Sequence, residues 1–220
     1  MKKYSSPLSY WLLPCLFLVF SSLTSGSEEK TEQPTETKNP QAPNIGTITV
    51  VAATNRKNSL SAQVADYYAE RLQEHGCNSQ VLKLTALPAD FTVSALYENK
   101  GQHPEFHKLQ EMMTAAQKYV FIVPEYNGSF PGVFKAFIDG LKFPDTFSGK
   151  RCAMVGVSKG IQGSVLALSH LTDIFHHLKM NVYPLKLKLA NIRDSQLTTI
   201  LANAQYVSLL EEQVTGIIQY

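Results

Sequence analysis

Three short stretches of the chain hold most of the residue types that could grip or activate a small molecule. The first is Thr54-Asn55-Arg56-Lys57-Asn58-Ser59-Leu60-Ser61. It offers hydroxyls, amides and a guanidinium immediately before a helical pattern begins at Leu60. A phosphate dianion needs many donors in a positive field, and the free N–H groups of a helix N-terminus add to both. The same residues also read as an ordinary capped helix start, with Ser59 or Asn58 as N-cap and Arg56 in solvent. The spacing matches neither a Walker A loop nor the glycine fingerprint of dinucleotide-binding turns.

The second stretch is Pro124-Glu125-Tyr126-Asn127-Gly128-Ser129-Phe130-Pro131-Gly132. Pro124 stops an apolar run, and Tyr126 can present a ring to a flat ligand. Asn127 and Gly128 suit positive φ, and glycine lets backbone amides approach a ligand closely. Glu125 reads either as a ligand contact or as an ion-pair partner. Asn127-Gly128-Ser129 also fits a glycosylation sequon, a reading that a ligand-facing loop disfavours. The third stretch, Ser158-Lys159-Gly160-Ile161-Gln162-Gly163, allows close backbone approach at its glycines and alone reads equally as a flexible turn.

These stretches need elements to position them. Residues 45–53 are β-branched and apolar between turn residues, which predicts a buried strand. Leu60, Val64, Tyr67, Tyr68 and Leu72 recur at helical spacing up to His75-Gly76. Residues 80–84 predict a second strand and 85–103 an irregular segment. Pro104 opens a helix at its favoured first position. Further strands are predicted at 119–123, 151–157 and 181–184, with helices over 133–141, from the third stretch to about Lys179, and over 196–217. Strands alternating with helices demand an α/β three-layer sandwich, a five-stranded parallel sheet with helices on both faces and right-handed crossovers. Ligands of such sheets bind at the carboxyl ends of the strands. Each of the three stretches follows a predicted strand directly.

Composition narrows the function classes. With 44% hydrophobic and 17% charged residues the chain is an ordinary globular one. A net charge of +2 without a Lys/Arg block argues against nucleic acid as partner. Cys15, Cys77 and Cys152 form no ligand pattern, so no structural metal is expected. The histidines at 103, 107, 170, 176 and 177 are assigned no metal role; His176-His177 falls on a predicted helix without a carboxylate at ligand spacing.

Residues 1–26 have the order of a secretory signal: Lys2-Lys3, an apolar run over 11–20, then small polar residues. A cleaved signal peptide, an uncleaved N-terminal anchor and a start codon placed too early all remain open. Residues 27–44 are charged and Pro-rich and read as a disordered polar linker. The folded domain is expected over 45–220, and membrane contact only through the leader.

Taken together, the three stretches resemble the NADPH-dependent FMN reductase family of flavodoxin-like proteins, which includes quinone, azo-dye and chromate reductases. The resemblance covers roughly residues 46–190. Pro124-Glu125-Tyr126-Asn127-Gly128-Ser129 followed by Pro131-Gly132 is its most specific part. Thr54, Arg56 and Ser59 are similar to the family's phosphate-holding first loop, and Ser158, Gly160 and Gly163 to the loop beside the isoalloxazine. Ala53, Ser61, Gln162 and Gly140-Leu141 depart from the residues common in the family. The resemblance implies FMN as cofactor, NAD(P)H as co-substrate and a small-molecule acceptor: a quinone, an azo compound, a flavin or a metal oxyanion. It implies cofactor contacts from Thr54, Arg56, Ser59, Ser61, Pro124, Glu125, Tyr126, Asn127, Gly128, Ser158, Lys159 and Gly160, with no catalytic side chain, since the flavin carries the chemistry. It also implies a homodimer or tetramer, with Leu141, Phe143 and Phe147 as interface candidates. The family is mostly cytoplasmic and NAD(P)H is a cytoplasmic reductant, whereas the leader suggests export or tethering. Two other readings remain: an FMN-binding electron carrier without NAD(P)H activity, and a flavodoxin-like module that has lost flavin.

Overall fold

Val50, Val51, Val120, Phe121, Ile122, Ala153 and Val155 are all fully buried. Strands buried on both faces are what a central parallel sheet demands. The computed structural model describes residues 46–99 and 102–220. The readings of residues 1–26 and 27–44 lie outside the described residues, as does Ile45. Among the described residues six strands form: β1 (Thr47–Ala52), β2 (Asn78–Lys83), β3 (Lys118–Pro124), β4 (Arg151–Val157), β5 (Asn181–Val182) and β6 (Leu187–Leu189). The order is β2-β1-β3-β4-β5, every pairing is parallel, and β6 also pairs with β4.

Alternate residues of the strands feed two separate cores. One face carries Val51, Phe121, Val123, Cys152 and Met154 against α3 (Pro104–Ala115), α4 (Gly132–Gly140) and α5 (Val165–His177). Its rings stack closely, with Phe121 and Phe175 centroids 4.6 Å apart. The opposite face carries Ile48, Val50, Val120, Ile122 and Val155 against α1 (Leu60–Glu74) and α7 (Ala204–Gln219). A single turn of helix, α2 (Phe91–Ser94), lies in the irregular stretch after β2, and α6 (Leu197–Leu201) precedes α7. This is the flavodoxin-like three-layer arrangement.

Three sequence expectations need correction. The fifth strand is not one run over 181–184. It is split into β5, beside Arg151 and Cys152, and β6, beside Val155 to Val157, with Pro184 between them. Proline has no N–H to give a ladder, so pairing breaks there. The closing helix over 196–217 is two helices, because Asn203 starts a new one: its Oδ1 accepts from the N–H groups of Gln205 and Tyr206. Leu141 and Phe147 are 2% and 1% exposed and belong to the core, whereas Phe143 is exposed.

A polar clip joins α1 to α7. Arg71 Nε donates to Glu211 Oε1 at 2.6 Å and Arg71 Nη2 to Glu211 Oε2 at 3.2 Å. The Arg71 hydrogen bond holds the Glu211 carboxyl below its ordinary value of 4.5, against the opposing effect of burial, with His75 adding to the lowering. A folded-state value below the unfolded one means that the unfolded chain binds more protons between the two, so acid removes this contribution. Glu211→Gln is therefore expected to lower the urea midpoint at neutral pH and to lose less stability on acidification. The two proteins should converge as pH falls well below 4.5, and parallel pH curves would contradict this role for the clip.

Candidate functional site

The carboxyl ends of β1, β3 and β4 open onto one cleft of about 290 Å³. The first loop follows β1 directly. Thr54 is buried, and its Oγ1 accepts from the Arg56 N–H at 3.2 Å, turning the chain toward α1. Ser59 is the N-cap, its Oγ accepting from the Ala62 N–H at 3.2 Å. Ser61, 2% exposed, lies in the first turn of the helix, and its hydroxyl has no side-chain partner among the described residues. Ser59 thus caps the helix, and the donor-rich loop opens onto a cavity.

The second loop follows β3. The Tyr126 N–H donates to the Ser129 carbonyl at 2.7 Å, and the Ser129 N–H returns a bond to the Tyr126 carbonyl at 3.1 Å. Asn127 and Gly128 between them have φ of 51° and 77°, the pair of positive angles that a tight two-residue turn requires. The Tyr126 hydroxyl reaches across to Thr54 Oγ1 at 2.8 Å, linking the first two loops. Tyr126→Phe removes this one partly buried bond. It is expected to cost about 1 kcal/mol of stability, measured by urea unfolding.

The third loop is braced from behind. Ser158 Oγ accepts from the Gly160 N–H at 2.9 Å. The Asn191 N–H donates to the Gly160 carbonyl at 2.9 Å and the Ile192 N–H to the Ser158 carbonyl at 3.2 Å. Gly156 on β4 lets the far end of this loop sit close. A methyl there would lie 2.3 Å from the Gly163 carbonyl oxygen and 2.8 Å from Ser164 Cβ.

Thr54, Arg56, Ser59, Ser61, Pro124, Glu125, Tyr126, Ser158, Lys159 and Gly160 all line this cleft. Asn127 and Gly128 do not. They form the tip of the turn beyond Tyr126. The sequence reading missed the wall formed by Ile192 and Ser195. Gln63 on α1 ties this wall down, with its Nε2 3.5 Å from the Ser195 carbonyl and its Oε1 accepting from the Leu197 N–H at 3.3 Å. Nothing local in Leu185 to Gln196 signals a site, because its place at the cleft depends on β6 pairing with β4.

Among the described residues that line the cleft there is no cysteine and no histidine. Burial pushes the Cys152 thiol well up, and that residue lies in the core. The cleft walls carry two cations, Arg56 and Lys159, and one carboxylate, Glu125. None of the three forms an ion pair among the described residues. Hydroxyls and a guanidinium at a helix start suit an anionic ester. Tyr126, Leu60, Val157 and Ile192 supply apolar surface for a ring.

Comparison with known proteins agrees with this geometry. The family model described as NADPH-dependent FMN reductase matches residues 47–193. An NAD(P)H-dependent FMN reductase of Pseudomonas aeruginosa is 38% identical over 87 residues, 39% of this chain and 46% of that protein. The match thus spans less than half of that relative's length. A 2-hydroxy-1,4-benzoquinone reductase of a Burkholderia species is 29% identical over 135 residues, 60% of this chain and 70% of that one. Among solved structures, an NADH:FMN oxidoreductase in its apo form superposes with a TM-score of 0.66 at 18% identity, covering 79% of this chain and 89% of that one. That likeness is one of fold.

Proposed function

Since the chain belongs to the NADPH-dependent FMN reductase family, we propose that it is an FMN-dependent oxidoreductase that uses NAD(P)H to reduce a small-molecule acceptor. A quinone, an azo compound, a flavin or a metal oxyanion is the acceptor class. The observation that carries this reading is the cleft itself: three loops at the carboxyl ends of three parallel strands, with a phosphate-type donor set at the start of α1. The donor set fits FMN. Thr54, Arg56, Ser59 and Ser61 would hold the phosphate, and the N-terminus of α1 adds its positive field. Pro124, Glu125 and Tyr126 on one side, with Ser158, Lys159 and Gly160 on the other, would flank the ring system, and Asn127 and Gly128, at the tip of the turn, would meet its edge.

Bound FMN would supply the chemistry of taking a hydride from NAD(P)H and passing electrons onward. The protein's own part is to bind, orient and tune. Tyr126, tied to Thr54, limits the width of the ring end. Ile192 and Ser195 add a further wall to the cleft. Residues 1–26 as signal or anchor, 27–44 as linker, and a homodimer or tetramer belong to the same reading. Light scattering of the purified chain tests the last of these.

The experiment is a visible spectrum of the purified full chain, before and after adding FMN, followed by NADPH under anaerobic conditions. A bound-flavin spectrum that bleaches on NADPH is expected. Absence of flavin uptake sinks the proposal. Uptake without bleaching by either nicotinamide cofactor would mark a carrier that is reduced by another protein.

A further inference from the structure

The Tyr126–Ser129 turn is anchored from outside itself. His170, on α5, places its Nδ1 2.9 Å from Ser129 Oγ, 41 residues away in the chain. Whichever tautomer the ring adopts, the pair can bond, because the serine hydroxyl both donates and accepts. One helical turn earlier on α5, Leu166 comes close to the same turn, and a Cβ at Gly128 would lie 3.9 Å from its Cδ1. Residues four apart share a helix face. α5 therefore meets the turn with one polar and one apolar contact.

The turn has a further property. It uses the N–H groups of Tyr126 and Ser129 to close itself, and those of Asn127 and Gly128 have no acceptor among the described residues. Two successive free donors lie at the tip of a loop beside the cleft, and their direction is fixed only as well as the turn is fixed. We propose that His170 is a positioning residue: through Ser129 it holds the Asn127-Gly128 amides in place for the cofactor. This inference rests on the FMN reading above. Backbone donors held in place stabilise charge that develops on a bound group without the cost of reorganising. Reduced FMN carries more charge on its ring system than oxidised FMN. Loosening the turn should therefore weaken binding of the reduced form more than that of the oxidised form.

The test is redox titration of the full-length FMN-loaded protein together with oxidised-FMN affinity, for wild type, His170→Ala, Ser129→Ala and the double variant. Each single variant is expected to lower the ratio of reduced-form to oxidised-form affinity, roughly tenfold for a coupled pair. The double variant should be no worse than either single one. His170→Asn, whose amide overlays the position of Nδ1, should restore most of the ratio. A residue that merely stabilised the fold would lower the unfolding midpoint and leave the ratio alone. An unchanged ratio in both single variants, in a protein whose wild type binds FMN, overturns the inference and spares the cofactor reading. If His170→Ala does not fold, Ser129→Ala alone decides between these outcomes. If wild type takes up no FMN, both fall.

Discussion

Gly156→Ala is expected to destabilise the protein by about 3 kcal/mol, a large loss for a single methyl group. Gly156 sits in β4 between Val123 of β3 and Lys188 of β6, in a fully paired stretch of sheet. Its missing side chain leaves room for the backbone that leads into α5. The methyl would meet the Gly163 carbonyl oxygen at 2.3 Å, Ser164 Cβ at 2.8 Å and Leu168 Cδ1 at 3.1 Å. The first of these is backbone and cannot rotate aside. Nor can the segment retreat cheaply, because Ser164 is fully buried and its Oγ bonds the Val123 carbonyl at 3.2 Å. Gly163 is itself confined, with φ of 58° and the Lys188 backbone about 3 Å from where its own Cβ would stand. Urea unfolding measures the loss. Gly132→Ala, where an added methyl meets nothing within 4 Å, is the matched control and should be near neutral. A Gly156→Ala midpoint equal to wild type would mean that α5 shifts without cost. FMN affinity should fall with stability, since the displaced backbone continues into the third loop.

Arg56→Ala is expected to weaken FMN binding roughly 30-fold while leaving riboflavin binding unchanged. The two ligands differ by the phosphate alone, so the contrast isolates what the guanidinium contributes. Arg56 is exposed and unpaired among the described residues, so its loss removes no ion pair from the fold. The thermal midpoint without ligand should stay where it is. Arg56→Lys keeps the charge but loses the planar fork, and should fall between the two. Equal weakening for both flavins would move Arg56 from the phosphate to the ring, and no weakening for either would remove it from the site. Raising ionic strength should reduce the wild-type advantage for FMN, because the cleft is open to screening ions.

How much of this was legible beforehand varies residue by residue. The apolar runs around Val50, Phe121 and Val155 announce buried strands because a parallel sheet covered on both faces tolerates nothing else. Ser59 was legible as an N-cap for a local reason: its side chain reaches only three residues forward. The three loops were legible because Gly, Pro, Asn and hydroxyl residues collect where the backbone must turn. Other features depend on long-range partners and leave no local trace. Ile192 and Ser195 reach the cleft only because Leu187–Leu189 pairs with β4 and because Gln63, on a helix more than a hundred residues earlier, holds that segment. Nothing local to His170 signals its contact with Ser129, 41 residues away. Leu141 and Phe147 looked like surface apolars next to a loop, and the packing of α3 and α4 buries them. The break of the closing helix at Ala202-Asn203 was written in Asn203, a good cap, and was overridden by the longer apolar periodicity around it.

The split fifth strand has a consequence for how molecules of this protein behave toward one another. A sheet margin is an invitation: a long flat row of unsatisfied amides and carbonyls will template a foreign strand and start an aggregate. Here the margin beyond β4 is two residues, a proline-bearing break, then three residues. Neither piece is long enough to seat an intruding strand in register, and Pro184 presents no N–H where one would be needed. At the opposite margin, Asn78, Ser79, Gln80 and Lys83 of β2 already face partly outward with polar side chains. The interruption that looks like a flaw in the sheet thus leaves no long unpaired strand at this margin among the described residues.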